Sequence, residues 1–429
     1  MVTEAQARYL KTGKEEQAVS EKSDCPDGYK LSEVGLIPND WRVKPIGDVL
    51  SIRHGRSQKE VVRIDGMYPV LGTGGEIDRT NIPLYSKPSV LIGRKGTINK
   101  PRFIDTPFWT VDTLFYSEIN EVNDAKFIFY KFCLIDWMSY NEASGVPSLN
   151  ASTIENIPFS FPINKSEQTA IAKALSDVDA LITSLEKLIA KKQAIKTATM
   201  QQLLTGKKRL PGFGEGKGYK QTELGEIPED WDITKLGCLG EFKNGINKES
   251  SAFGHGSPLV NLMDVFGVSS ITPNGLIGLV KSSKLEQKMY DLNQGDVIFI
   301  RSSVKPSGVG LTAVVEEDIP SAVFSGFLIR FRDKGNLDNQ YKRHCFYEEG
   351  FRRRVIASSS VSANTNINQD SLKQLLKVFP SSKKEQGAIA TVLSEMDINI
   401  EQLRVRLTKT QQIKQGMMQE LLTGKTRLI

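Results

Sequence analysis

Histidine and cysteine are scarce in this 429-residue chain, and what there is lies scattered. The histidines are His54, His255 and His344. The cysteines, Cys25, Cys133, Cys238 and Cys345, each stand about a hundred residues from the next. No CxxC pair and no zinc-ligand spacing results, so free thiols in a reducing compartment are expected and no metal ligand is assigned. A run of eighteen apolar residues is also missing, which excludes a membrane-spanning helix and a membrane partner. The first residues, "MVTEAQARYLKTGKEEQAVSEKSD", lack the apolar centre of a signal peptide, and the expected location is cytoplasmic.

Catalytic and cofactor signatures are missing as well. "GTGG" (72–75) and "GRKG" (93–96) are glycine-rich, but neither has the GxxxxGK[ST] spacing of a phosphate loop. "LLTGK" (203–207) puts Gly-Lys at the end of a helical pattern, whereas a phosphate loop puts it at the start. "EQK" (286–288) has no well-placed aspartate to complete a nuclease-type carboxylate–lysine set. No catalytic residue is assigned, no cofactor is expected on this chain, and it is not expected to be an enzyme by itself.

What is present is mild positive charge, unevenly spread. Net charge is +6 with a pI near 8.9. Residues 42–102 hold twelve Lys/Arg against five Asp/Glu, whereas residues 103–149 hold two against seven. Such a split favours one basic face of the kind a polyanion needs.

The chain also repeats itself. "GYKLSEVGLIPNDW" (28–41) returns as "GYKQTELGEIPEDW" (218–231), an offset of 190. "EQTAIAKALSDVDALI" (167–182) returns as "EQGAIATVLSEMDINI" (385–400), and "MQQLLTGKKRL" (200–210) as "MQELLTGKTRL" (418–428), both at 218. The offset therefore grows by 28, the difference of 218 and 190, between Trp41 and Asn150. Each copy has fixed flanks and a divergent middle, a pattern that fits shared architecture with different recognition.

The later flanks read as helices. Ser166 is the expected N-cap, with Glu167 in the first turn. Ile171, Leu175, Val178, Ile182, Leu185 and Ile189 then recur at heptad spacing, with Leu181, Leu188 and Ile195 beside them. The second copy repeats the stripe at Ile389, Leu393, Met396, Ile400, Leu403 and Leu407, and Ile413 follows. Gly206 is the expected C-terminal stop. About forty residues make a helix of roughly 60 Å, longer than a domain of this size covers. Pairing within the chain, an oligomer seam or packing on the domains would each cover the stripes. The internal repeat favours pairing within the chain, antiparallel about a pseudo-two-fold axis.

Both middles read as α/β, with short strands closed by glycine turns. Basic and polar residues collect near those turns. In the first middle they are Arg53, His54, Arg56, Ser57, Lys59, Arg94, Lys95, Lys100 and Arg102. In the second they are Lys243, Asn244, Lys248, Arg301, Ser302, Ser303 and Lys305. Singly each is an ordinary surface side chain. Together they suit contacts to phosphates, with a few to base edges. Arg352, Arg353 and Arg354 fall in a helical stretch and could serve DNA or solvent.

In this order, "GYKLSEVGLIPNDW" and helices ending "LLTGKKRLPGF" and "LLTGKTRLI" resemble the specificity subunits of type I restriction–modification systems. The resemblance covers the chain from about residue 28. It implies an α/β protein with two target recognition domains separated by two long helices that form an antiparallel intrachain coiled coil. The expected divisions are a polar arm (1–27), domain 1 (28–162), spacer helix 1 (163–206), a linker (207–217), domain 2 (218–380) and spacer helix 2 with the tail (381–429). It also implies that each domain reads one half of an asymmetric double-stranded DNA site and that the helices set the unread gap. Its implied partners are two methyltransferase subunits and restriction–translocase subunits, which would hold S-adenosylmethionine, ATP and Mg²⁺. The alternative is a two-domain coiled-coil scaffold that binds proteins and not DNA.

Overall fold

The computed structural model describes residues 25–276 and 278–428, so residues 1–24 of the expected polar arm lie outside it. Two helices dominate the secondary structure, α1 (Lys165–Leu204) and α2 (Lys383–Leu421). The start of α1 differs from the sequence expectation. Asn164 caps it, its side-chain oxygen accepting from the Ser166 amide at 2.9 Å and the Ser166 hydroxyl at 2.8 Å. Ser166 sits one residue inside the helix, because the asparagine ahead of it offers the better-placed acceptor. At the other end Gly206 takes a left-handed conformation (φ 72°), and the amides of Gly206 and Lys208 bond back to the carbonyls of Leu203 and Gln202. Gly424 ends α2 in the same way (φ 77°).

The chain divides into two compact units. The first comprises the chain up to Glu186 and resumes at Arg406, and the second is Lys187–Val405, so each takes half of each long helix. Of the stripe residues, Ile171, Leu175, Leu185, Ile389, Leu393 and Ile400 are buried. Val178, Ile182, Ile189, Met396, Leu403 and Leu407 are half-buried. Leu181, Leu188, Ile195 and Ile413 lie off that face and are exposed.

In the first unit, Ile171 and Leu175 share a core with Met418, Leu421 and Leu422. Lys414 pairs with Asp179 at 2.6 Å, and Arg427 pairs with Glu167 at 2.5 Å. Partner numbers fall on one helix as they rise on the other, so the two halves run antiparallel. The second unit repeats this with its own residues. Lys196 pairs with Asp397, Arg209 pairs with Glu385 at 2.5 Å, and Leu203 and Leu204 share a core with Ile389 and Leu393. Lys196 and Asp397 are the repeat counterparts of Lys414 and Asp179.

A globular α/β part completes each unit. In the first, β1 (Leu50–His54), β2 (Ser89–Gly93) and β3 (Leu114–Ile119) form a sheet in the order β1-β3-β2 followed by strand Arg102–Ile104, all antiparallel. In the second, β4 (Gly240–Asn244), β5 (Val297–Ile300) and β6 (Leu328–Asp333) run in the order β4-β6-β5, followed by strands Thr312–Val315 and Ser270–Ile271. Helices Ala125–Leu134 and Asn339–Cys345 follow β3 and β6 in the chain. Each N-cap aspartate amide, of Asp124 and Asp338, donates to a buried glutamine of a long helix, Gln168 at 2.8 Å and Gln386 at 2.7 Å.

The duplicated flanks clasp one another. In the second unit, a Cβ on Gly206 would lie 2.5 Å from Pro228 and 3.4 Å from the fully buried Trp231, so only glycine allows this approach. Tyr219 donates to the Gly206 carbonyl at 3.2 Å. Arg209 forks onto Asp230 (2.9 and 3.0 Å) while also holding the buried Glu385. In the first unit Gly424 meets Pro38 and Trp41, Tyr29 donates to the Gly424 carbonyl at 3.1 Å, and Arg427 forks onto Asp40 (2.8 and 2.7 Å). Thus the "GY…DW" and "LLTGK" segments recur because each unit contains one of each, fitted together.

Changing Arg209→Ala leaves Glu385 buried without a counter-charge and should cost about 3 kcal/mol in equilibrium denaturation, with Arg209→Lys falling between because it loses the fork. The hydrogen bonds from Arg209 hold the Asp230 carboxyl down to about 2. This contribution is complete above the ordinary carboxylate pKa and is lost as pH falls from about 4 towards 2. That part of the acid transition should flatten in Arg209→Ala.

Candidate nucleic-acid interface

Strand register gathers many of the candidate residues at one sheet edge in each unit. Phe115 pairs with His54 on one side and with Ile92 on the other. The segments that leave β1 and β2, His54-Gly55-Arg56 and Arg94-Lys95, therefore flank the start of β3. Ile329 pairs likewise with Asn244 and Phe299, which puts Asn244-Gly245 and Arg301-Ser302 beside the start of β6. The packing demands a glycine in both. A Cβ on Gly55 would sit 2.0 Å from the Val111 carbonyl oxygen, and one on Gly245 2.1 Å from that of Ser325. These two glycines escaped the sequence reading, although they match at the same offset of 190 that relates residues 28–41 to 218–231.

Register also resolves the growth of the offset. Gly55 corresponds to Gly245 (190), Arg94 to Arg301 (207), Phe115 to Ile329 (214) and Leu149 to Ile367 (218). The second copy gains 17, then 7, then 4 residues, and all three insertions fall between framework positions.

In the first unit, His54 packs edge-on against Phe115, with ring centroids 4.9 Å apart. Arg56 is exposed, and its main chain is held by Thr110 (2.8 Å) and by the Trp109 indole (2.9 Å). Ser57, Lys59, Lys95 and Lys100 are exposed, and Arg94 is half-buried. Arg53 is exposed and paired with Glu118 at 2.8 Å. An exposed pair of this kind contributes between nothing and about 1 kcal/mol, so a polyanion can displace it. Arg102 is a correction to the candidate set: its guanidinium donates to the Gly72 carbonyl, and burial pushes its pKa down. It braces strand Arg102–Ile104 against the end of strand Tyr68–Gly72 and does not face solvent freely.

In the second unit, Asn244 and Arg301 are half-buried, and Lys305 is exposed. Ser302 and Ser303 pair with Asn366 and Thr365 in a three-stranded ribbon. Lys243 lies over the Tyr290 ring at 5.2 Å, and Lys248 pairs with Glu286 at 2.5 Å. That same Glu286 closes a capping box with Ser283, which is the structural use of the "EQK" stretch. Arg352 and Arg354 are a second correction. They donate to backbone carbonyls, Arg352 to Val309 (2.7 Å) and Arg354 to Leu376 (3.3 Å), and therefore stitch the second unit together.

The basic face expected over residues 42–102 is partly undone by pairing. Lys44, Arg53, Arg79 and Lys87 all meet carboxylates, two of them on Glu118 and Glu121 from the acidic stretch that follows. Charge segregated along the sequence is thus remixed where β3 lies against β1 and β2.

A cavity of about 300 Å³ opens at the edge of the first unit, with His54, Arg94, Lys95, Glu142 and Ala151 among its walls. The counterpart of Ala151 is Gln369. In the orientation its hydrogen bonds require, the Gln369 carboxamide accepts from the Asn244 amide (2.9 Å) and donates to the Phe242 carbonyl (3.0 Å). The second unit therefore fills with a side chain the place that the first leaves open.

Among the described residues no group of three or more His, Cys, Asp or Glu could hold a metal ion, and no helix is long and apolar enough to cross a membrane. The profile of the type I restriction modification DNA specificity domain family matches residues 38–197 and again residues 228–415. The chain belongs to that family.

The MjaVIII type I restriction enzyme specificity subunit of Methanocaldococcus jannaschii is 25% identical over 425 residues, which cover 91% of this chain and 94% of the relative. The EcoDI specificity subunit of Escherichia coli is 21% identical over 214 residues, 46% of this chain and 48% of that one. Among solved structures, the type I restriction–modification S subunit from M. genitalium aligns with a TM-score of 0.58 at 16% identity, covering 91% of this chain and 97% of that one. The structural likeness shows a shared fold, and the sequence profile shows the family. Two specificity domains are present, and their candidate reading edges are built on one plan with different side chains.

Introducing Gln at Ala151 should partly fill the first domain's cavity and bring a carboxamide over His54. Stability should change by under about 1 kcal/mol, since the site already opens to solvent. Duplex binding by the assembled complex should weaken by about 1–3 kcal/mol, on the scale of one mismatched base pair. Parallel thermal-unfolding and gel-shift titrations check both numbers.

Proposed function

We propose that this chain is the DNA-reading subunit of a type I restriction–modification complex. Each specificity domain takes one half of a bipartite, asymmetric duplex site, and α1 and α2 set the length of the unread gap. The observation that carries this reading is the double match to the specificity domain, on two copies that keep their framework while their edge residues differ. His54 against Asn244 and Lys95 against Ser302 offer different hydrogen-bonding groups at equivalent places, and the exposed Arg56 is matched by the buried, apolar Ile246, as two different half-sites require.

The remaining basic and polar edge residues serve as the contact set: His54, Arg56, Ser57, Lys59, Arg94, Lys95 and Lys100 in the first domain, and Asn244, Arg301, Ser302, Ser303 and Lys305 in the second. Arg53, Lys243 and Lys248 can join after giving up weak internal partners. Two methyltransferase subunits dock along the helices, and restriction–translocase subunits join for cleavage. S-adenosylmethionine, ATP and Mg²⁺ belong to these partners, and the complex works in the cytoplasm. The specificity-domain match, which runs into both long helices (38–197 and 228–415), supports this assignment over a scaffold without DNA.

Replacing residues 42–149 by the corresponding stretch of another family member should change one half of the methylated motif and leave the other half and the gap intact. Inserting one heptad into α1 and its counterpart into α2 should change only the gap. Methylation mapping of cells carrying each variant reads both results, and alteration of both halves by the single exchange would sink the two-reader assignment.

A further inference from the structure

Arg94 and Arg301 occupy the same place in two domains whose surrounding residues have diverged. Each directly follows a central strand, β2 or β5. The Arg94 amide donates to the Thr113 carbonyl at 2.8 Å, and the Arg301 amide to the Phe327 carbonyl at 2.8 Å. Their own carbonyls accept from Leu149 and Ile367, both at 2.9 Å. The likeness extends to the side chains, where Nη1 of Arg94 donates to the Asp112 carbonyl and Nη1 of Arg301 to the Gly326 carbonyl, each at 3.3 Å.

The neighbours are not alike: Asp112 against Gly326, Thr113 against Phe327, Lys95 against Ser302, His54 against Asn244. Among these charged and polar edge positions the guanidinium recurs, with its tether and its main-chain bonds. A group that discriminates one half-site from the other has no reason to be the same in both domains. A group that grips what both half-sites share does, and the feature common to all duplex is the phosphate backbone. One Nη1 tethered to a carbonyl restrains the guanidinium of each half-exposed side chain and commits one of its five donors, which suits a charge-assisted contact to a phosphodiester through the others.

We propose that Arg94 and Arg301 are a matched pair of phosphate anchors, one per domain, that set the register of each half-site without reading its sequence. The proposal rests on the DNA-reading function above. The assay uses the full chain assembled with methyltransferase subunits and a duplex carrying the motif that the unaltered complex methylates.

Arg94→Ala and Arg301→Ala should each lower affinity about tenfold. Each should reduce the slope of log K against log salt by about 0.9, and the double variant by about 1.8. The methylated motif should stay the same at every position. Arg94→Lys and Arg301→Lys keep a point charge, so they should retain the slope and the motif, and they guard against misfolding of the alanine variants.

Relaxed specificity at one base position in either lysine variant would show a bidentate base contact and overturn the proposal. A lowered melting temperature with an unchanged salt slope would mean loop support only and would also overturn it. Failure of the unaltered complex to bind duplex at all would remove the DNA-reading function together with this pair, a result distinct from binding whose slope the substitutions leave untouched.

Discussion

Arg427 and Asp40 are 387 residues apart in sequence, yet their fork-to-fork contact closes the first domain. The same guanidinium satisfies Glu167, whose side chain is only 6% exposed. A buried carboxylate without its cation costs several kcal/mol, so the segment after α2, the start of α1 and the domain's opening hairpin are held as one body. Arg209, Asp230 and Glu385 do the same in the second unit, where the Glu385 side chain is 3% exposed. The glycine–proline–tryptophan fit beside each arginine is the apolar half of the clasp. Because half of the first unit's helical support arrives only after Arg406, that domain has no complete core until residues far along the chain are in place. Contacts of such sequence separation slow folding.

With the flanks clasped, the middles are free to differ. The three insertions of the second copy fall between framework positions, and the strands on either side keep their pairing. The fixed points are physical: Gly55 and Gly245, where a carbonyl oxygen fills the space of a Cβ, and Arg94 and Arg301, bonded through main chain and side chain alike. Around them hydrogen-bonding groups are exchanged freely, and one domain keeps a cavity where the other has Gln369. A frame that tolerates exchange at its edge without loss of core is what a reader of many different sequences requires.

Much of this was legible in the sequence. The repeat offsets, the two apolar stripes and the glycine stop at 206 foretold paired helices, and the α/β character of the middles followed from strand and turn patterns. The contact residues were less legible, because charge reads differently once strands are paired. Arg53 and Lys87 meet Glu118 and Glu121, which lie more than thirty residues away in sequence. Arg102, Arg352 and Arg354 resemble surface cations in a linear reading, but their heads bond carbonyls inside their own units.

Buried lysines were equally hidden. Lys131 donates to the Ser160 hydroxyl and to the Leu422 carbonyl at the end of α2, and burial pulls its pKa down to about 7. In the second unit Cys345 stands at the matching helix position, and the buried ammonium comes from Lys377, on the strand residue that matches Phe159. No single-position alignment reveals an exchange between a helix and its neighbouring strand.

Two unlike readers on one frame require a bipartite, asymmetric target. Long-read methylation mapping of cells that hold the partner subunits, with and without this chain, tests it most directly. The expected result is a motif methylated only when the chain is present, made of two unlike halves separated by a fixed run of unread bases. A contiguous motif, or two identical inverted halves, would contradict it.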